Sequence, residues 1–134
     1  REMNVLFVCM GNMGRSQMAE AFFKKLSKHT YASAGTHVGE KEGQGLNDKV
    51  KGIMKELGYD LSKATRTQLT PELVEEFDKV IMITAKEDWP EYVKNNEKVT
   101  FWDIPDGSGT DLTFHRKIRD DIKKFVQNLV AEIG

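Results

Sequence analysis

The chain reads as an α/β protein built on a parallel sheet. Short apolar runs alternate with amphipathic stretches four times along its 134 residues. That alternation gives parallel strands joined by right-handed crossovers, with helices on both faces of the sheet. The first run, Val5-Leu6-Phe7-Val8, is continuously apolar, as in a strand covered on both sides. It passes into a loop containing Gly11 and Gly14 and then into a helix. In such folds ligands bind at the carboxyl ends of the strands. The length suits one domain with one core. No linker, repeat or low-complexity tract divides it, so residues 1–134 are read as a single domain.

The elements follow in order. Residues 4–8 form the first strand. A helix is expected over residues 17–28, where Met18, Ala21, Phe22 and Leu26 recur at helical spacing. Residues 30–33 read as a second strand. Ala34-Gly35-Thr36 then turns into a polar, glycine-rich loop running to about Gly45, the best candidate for a mobile surface segment. Leu46, Val50, Ile53, Met54 and Leu57 mark a second amphipathic helix, with Gly58 as its stop. Thr70-Pro71 reads as an N-cap followed by proline at the first helical position. Residues 80–83 are a third buried strand. Residues 85–93 suggest an irregular helix interrupted by Pro90. Residues 98–101 are a fourth strand, followed by a loop over residues 102–109. A last helix spans residues 112–132, with Ile118, Ile122, Phe125, Val126, Leu129 and Ile133 as its apolar face.

The chemistry concentrates in the first loop. Cys9, the single cysteine, stands at its start, and Arg15 follows after five intervening residues, with Ser16 next. A loop that ends a buried strand and opens a helix aims several backbone N–H groups at one point, and the helix terminus adds partial positive charge there. Gly11 and Gly14 let this backbone curl. Arg15 supplies a planar fork of donors that matches two oxygens of a phosphate-like anion. Such a field favours the thiolate form of a cysteine, and the Ser16 hydroxyl can donate to the sulfur. A lone cysteine at a strand end is ordinarily packing. Here the apolar run, the glycines, the arginine and the helix coincide, which favours a nucleophile beneath an oxyanion site. A nucleotide-binding P-loop fits less well, because no lysine precedes the serine.

A thiolate attacking a phosphoryl group needs a proton donor for the leaving oxygen, and the same group can later activate water. Asp103 and Asp106, around Ile104-Pro105 in the loop after the fourth strand, are the candidates. Gly107 and Gly109 allow that loop to bend. His29, His37 and His115 show no ligand spacing, so no metal site is expected. Arg66 reads equally as a second anion contact or a solvated arginine. Trp89, Tyr92 and Trp102 either line a cleft or fill core.

Cys9-Met10-Gly11-Asn12-Met13-Gly14-Arg15-Ser16 followed by Gln17-Met18-Ala19-Glu20-Ala21 resembles the low-molecular-weight protein tyrosine phosphatase family, whose superfamily includes the thioredoxin-coupled arsenate reductases. Ser33-Ala34-Gly35-Thr36, residues 56–62, residues 77–82 and Pro105-Asp106 resemble its later segments in order. The resemblance implies a doubly wound four-stranded parallel sheet and a two-step reaction without metal or cofactor. Cys9 is then the nucleophile. Arg15 with the loop residues Met10, Gly11, Asn12, Met13, Gly14 and Ser16 binds the phosphoryl oxygens. Asp106 is the general acid and then the base, and Ser33 helps Asn12 hold the loop. Two departures stand out. The family often has a second cysteine before the arginine, where this chain has Gly14. The acid is usually followed by proline and aromatics, where this chain has Gly107-Ser108-Gly109. The acid loop is therefore expected to be more flexible and to lack one aromatic wall.

The implied activity is hydrolysis of phosphotyrosine or aryl phosphate monoesters through a phosphocysteine, on a phosphorylated protein or a small aryl phosphate, with inorganic phosphate or arsenate as ligand. Arsenate reduction is the alternative. Its thioredoxin-coupled members use additional cysteines, which this chain lacks, so an external small thiol would have to complete the reaction. Phosphoarginine hydrolysis is a third reading; such relatives carry threonine where this chain has Met13. A phosphate-sensing module on an inactive fold would be expected to lack Cys9, Arg15 or the acid, and all three are present. The formal net charge of -1 gives no bulk attraction to nucleic acid or membrane. The single cysteine argues against an internal disulfide and for a reducing compartment, and no run is long enough to span a bilayer. A cytoplasmic monomer is expected.

Overall fold

A computed structural model describes residues 2–107 and 109–134. The elements are β1 (Asn4–Cys9), α1 (Arg15–Leu26), β2 (Thr30–Gly35), α2 (Asp48–Lys55), α3 (Pro71–Glu76), β3 (Lys79–Met82), β4 (Val99–Phe101) and α4 (Leu112–Ile133). The four strands form one parallel sheet in the order β2-β1-β3-β4. The chain leaves β1 towards one edge and returns past it to the other, so the order reverses at β1. The loops after β1, β3 and β4 meet at that end of the sheet, where such folds bind ligands.

Strand periodicity divides the core. Val5, Phe7 and Cys9 of β1, with Ile81 of β3, face α1, α2 and α4. Leu6 and Val8, with Val80 and Met82, face the side that carries Val74 of α3. Both faces of β1 are therefore covered, as its unbroken apolar run requires. On the larger side Phe7 packs edge-on against Phe23 at 5.4 Å and beside Trp102 at 5.8 Å. No helix among the described residues is long and apolar enough to cross a membrane.

Several boundaries differ from the sequence expectation. α1 starts at Arg15, two residues early, and its buried face is Met18, Ala19, Phe22 and Phe23, whereas Leu26 is exposed. The helix is buried against both the sheet and α4, so its apolar stripe is wider than one spacing pattern. α2 is shorter than residues 46–57 because Asn47 caps it, its side chain accepting from the Val50 N–H at 2.9 Å. Thr70 caps α3 as expected, accepting from Leu73 N–H, with Pro71 at the first turn. Residues 85–93 make two 3₁₀ turns, Lys86–Asp88 and Glu91–Val93, in place of a helix. Pro90 has no N–H to give and holds Trp89 extended. The expected mobile segment after β2 is stitched down. Gln68 accepts the N–H groups of Val38 and Gly39 at 2.8 Å, and Gly43 and Gln44 pair with the backbone of Arg66.

α2 and α4 are joined by charge. Glu56 takes Arg116 and Arg119 at 2.7 Å each, and Arg119 also donates to the Ile53 carbonyl at 2.8 Å. Hydrogen bonds from the two guanidinium groups hold the Glu56 carboxyl down at about 2.

Candidate active site

Residues 10–14 connect β1 to α1 as a loop with its polarity sorted. Most of its carbonyls are tied. Cys9 O accepts from Thr36 N, Met10 O from His37 N, and Gly14 O from Met18 N. Gly11 O accepts from Arg66 Nε at 2.9 Å and Asn12 O from Gln17 Nε2 at 3.2 Å. The N–H groups of residues 10–14 find no acceptor among the described residues. Gly14, the residue before α1, offers no side-chain cap. Unbonded amides converging at a helix N-terminus are a site for an anion.

Cys9 is 2 % exposed and lines a cleft of about 260 Å³. A directed set of hydrogen bonds reaches it. Asn12 Nδ2 donates to Ser16 Oγ at 2.8 Å and to Ser33 Oγ at 3.0 Å, and Ser33 Oγ donates to Glu20 Oε1 at 2.7 Å. Ser16 Oγ, accepting from Asn12, lies 3.0 Å from Cys9 Sγ, where its hydroxyl can donate to a thiolate. The Asn12 amide is itself fixed, because its Oδ1 accepts from Thr67 N at 2.8 Å. Asn12 has φ 50°, a left-handed conformation that asparagine tolerates better than most residues. Burial raises the Glu20 carboxyl above its ordinary value, against the bond from Ser33.

Arg15 is 8 % exposed, and its Nη1 donates to the carbonyls of Ile83 and Ile104 at 3.0 Å each. The ends of β3 and β4 thus hold one corner of the guanidinium, and the remaining donors border the cleft.

Asp106 lines the same cleft, and Asp103 does not. Of the loop residues, Met10, Gly11, Met13 and Gly14 line the cleft. Asn12 and Ser16 are wholly buried and are not among the residues that line it. Three wall residues exceed the sequence reading. Arg66 is 6 % exposed and not a solvated arginine. His37 and His115 line the cleft. His115 stands three and seven residues before the core positions Ile118 and Ile122, so helical spacing alone could have placed it on the inner face. Trp89, Tyr92 and Trp102 serve the two cores and not the cleft. A larger groove, of about 570 Å³, lies across α1 between Tyr31 and Tyr59; it contains neither Cys9 nor Arg15.

Gly35 closes the loop from below. A Cβ there would stand 2.6 Å from Met10 O, 2.7 Å from Asn12 N and 2.8 Å from Val38 Cγ2. Two of those atoms are loop backbone and cannot move without reshaping the anion site. Gly35→Ala is therefore expected to cost about 1–3 kcal/mol in stability and to weaken phosphate binding in parallel. Thermal denaturation and calorimetric titration with inorganic phosphate check this; wild-type affinity in the variant would show that the close approach does not set the loop.

A doubly wound sheet carrying a buried thiol under a nest of amides, with a tethered arginine beside it, defines the class of α/β folds with an oxyanion cradle after the first strand. Residues 4–134 match the family model of the low molecular weight phosphotyrosine protein phosphatases, and the chain belongs to that family. It is 34 % identical over 140 residues to the arsenate reductase of Halalkalibacterium halodurans, covering 97 % of this chain and 96 % of that one. It is 31 % identical over 132 residues to the glutaredoxin arsenate reductase of a Synechocystis species, covering 97 % and 98 %. Among solved structures, a low molecular weight protein tyrosine phosphatase from T. tengcongensis superposes with TM-score 0.83 at 27 % identity, covering 98 % and 99 %. The YwlE arginine phosphatase from Geobacillus stearothermophilus gives 0.83 at 27 %, covering 98 % and 92 %.

Proposed function

We propose that the protein is a cysteine-dependent phosphatase that hydrolyses aryl phosphate monoesters, phosphotyrosine among them, through a phosphocysteine. The observation that carries this reading is one thiol and one carboxylate lining a single cleft, with no second cysteine in the 134 residues. Hydrolysis needs only these two groups and water. In the first step Cys9 Sγ bonds to phosphorus, the bond to the leaving oxygen breaks, and Asp106 gives that oxygen a proton. Arg15 and the loop amides hold the equatorial oxygens as charge moves across them. In the second step Asp106 takes a proton from water, the water oxygen bonds to phosphorus, and Cys9 leaves as a thiolate accepting from Ser16. Asn12 and Ser33 keep Ser16 aimed at the sulfur throughout. Neither step changes an oxidation state.

Arsenate reduction is the second reading, favoured by the names of the curated relatives at 31–34 % identity. It needs two electrons from two thiols. With Cys9 alone in the chain, an external thiol must attack the Cys9 sulfur of an arsenic adduct, releasing arsenite and leaving a mixed disulfide that a second thiol then resolves. Phosphoarginine hydrolysis fits less well, because the thioether of Met13 in the cleft wall suits an aryl ring better than a guanidino group. Two assays separate the first two readings. One is hydrolysis of para-nitrophenyl phosphate with EDTA present; the other is arsenate reduction with glutathione. Turnover in the first supports the proposal. Absence there with thiol-dependent reduction in the second overturns it in favour of the alternative.

A further inference from the structure

The cleft contains a second buried guanidinium that the phosphatase reaction does not use. Arg66 is 6 % exposed and lines the same cleft as Cys9 and Arg15. Its backbone is fixed on both sides, Arg66 N donating to Gln44 O and Arg66 O accepting from Gly43 N. Its side chain makes one hydrogen bond among the described residues, from Nε to Gly11 O at 2.9 Å. Its Nη2 lies 3.3 Å from the position a Gly11 Cβ would take, so the guanidinium rests on the anion loop itself. No carboxylate pairs with it among the described residues. Glu42, from the adjoining segment, instead accepts from the Gln68 N–H at 2.9 Å. A guanidinium this far out of water ordinarily has an anionic partner. Its position beside Gly11 also differs from that of Arg15, which is anchored across the cleft on the carbonyls of Ile83 and Ile104. His37, whose backbone N–H donates to Met10 O, borders the same cleft.

We propose that Arg66 forms a second anion subsite, so that the preferred substrates are phosphomonoesters carrying a second anionic group close to the phosphoryl group; this rests on the phosphatase reading above. The phosphoryl group sits over Cys9 between the loop amides and Arg15. A carboxylate or second phosphate on the same molecule then meets the free edge of the Arg66 fork in a charge-assisted, two-point contact. The group could belong to a small metabolite or to an acidic residue next to a phosphotyrosine; the chemistry at Arg66 is the same.

The test compares 3-carboxyphenyl phosphate with 3-carbamoylphenyl phosphate, which differ in charge and little in shape. Wild type is expected to favour the carboxylate in kcat/KM by on the order of tenfold, less at high salt. Arg66→Gln should bring the ratio near one, and Arg66→Lys should keep part of it. If Arg66 only braces the loop through Gly11, the variants slow both substrates alike and the ratio stands, which overturns the proposal. A wild-type ratio near one overturns it without any variant. Phosphotyrosyl peptides with aspartate or asparagine beside the tyrosine form a second arm, and a preference confined to one arm names the source. Binding of 3-carboxybenzylphosphonate and its carbamoyl counterpart to the Cys9→Ser protein is measured by calorimetry. It requires no turnover, so it tests the subsite even if the phosphatase reading fails.

Discussion

Cys9→Ser is expected to remove hydrolysis of para-nitrophenyl phosphate by at least ~10⁴-fold while leaving binding of inorganic phosphate in place. The two halves of this expectation have separate causes. The reaction depends on a sulfur that ionises and leaves readily; a serine hydroxyl there needs a base to take its proton. The neighbour within reach, Ser16 Oγ at 3.0 Å, is a donor to the nucleophile and accepts from Asn12 in turn. Binding depends on the loop amides and Arg15, and their anchors lie elsewhere, on Thr36, His37, Arg66, Ile83 and Ile104. Steady-state rates and calorimetric phosphate titration on the two proteins check both halves. Residual turnover comparable to wild type would exclude a phosphocysteine. Loss of phosphate binding together with turnover would mean that the sulfur itself holds the loop open.

The sheet was legible in the sequence where local pattern and tertiary environment agree. Residues 5–8 are apolar without a break because β1 is covered on both faces, and Thr70-Pro71 caps α3 because its geometry is local. Pattern failed where it conflicted with backbone chemistry. Residues 85–93 have aromatics at plausible helical intervals, but Pro90 splits them into two short turns. It failed again in α1, where burial against two partners draws in Ala19 and Phe23 and leaves Leu26 outside.

The candidate site was legible in its cysteine-containing loop and much less so in its surroundings. Cys9, the glycines, Arg15 and Ser16 lie in one stretch, so their spacing carries the chemistry. The groups that hold them are far away in the chain and often backbone. Arg15 is fixed by carbonyls 68 and 89 residues distant, and a carbonyl has no side-chain signature. Arg66 reaches Gly11 across 55 residues, and no local pattern separates it from a surface arginine. Gly35 reads as part of a turn until its distance to Met10 O is known. The Gly107-Ser108-Gly109 run suggests a loose acid loop; yet Gly107 is buried, and a Cβ on it would lie 2.7 Å from the His115 ring.

That packing bears on the second large effect, the role of Asp106. Asp106 borders the cleft between Pro105, whose ring fixes the approach, and Gly107, which is seated on His115 and Ile118. A carboxyl group held at the cleft is placed to protonate a leaving oxygen, a contribution of about 10²–10⁴-fold. The size of its effect must depend on how much the leaving group needs the proton. Asp106→Asn is therefore expected to slow phenyl phosphate by about 10²-fold or more, and an activated dinitrophenyl phosphate much less in the first step. The variant's rates should fall steeply with leaving-group basicity where wild-type rates are nearly level. Because the same carboxylate serves water in the second step, the activated substrate should then show a burst of phenol as phosphocysteine accumulates. Asp103→Asn is the comparison, since Asp103 is exposed and outside the cleft wall; it is expected to change neither the slope nor the burst. Rapid-mixing kinetics on a series of aryl phosphates measures both. If the steep dependence follows Asp103 and not Asp106, the acid lies on the other side of Ile104-Pro105. The loop would then have to turn away from its seat on His115 for catalysis to occur.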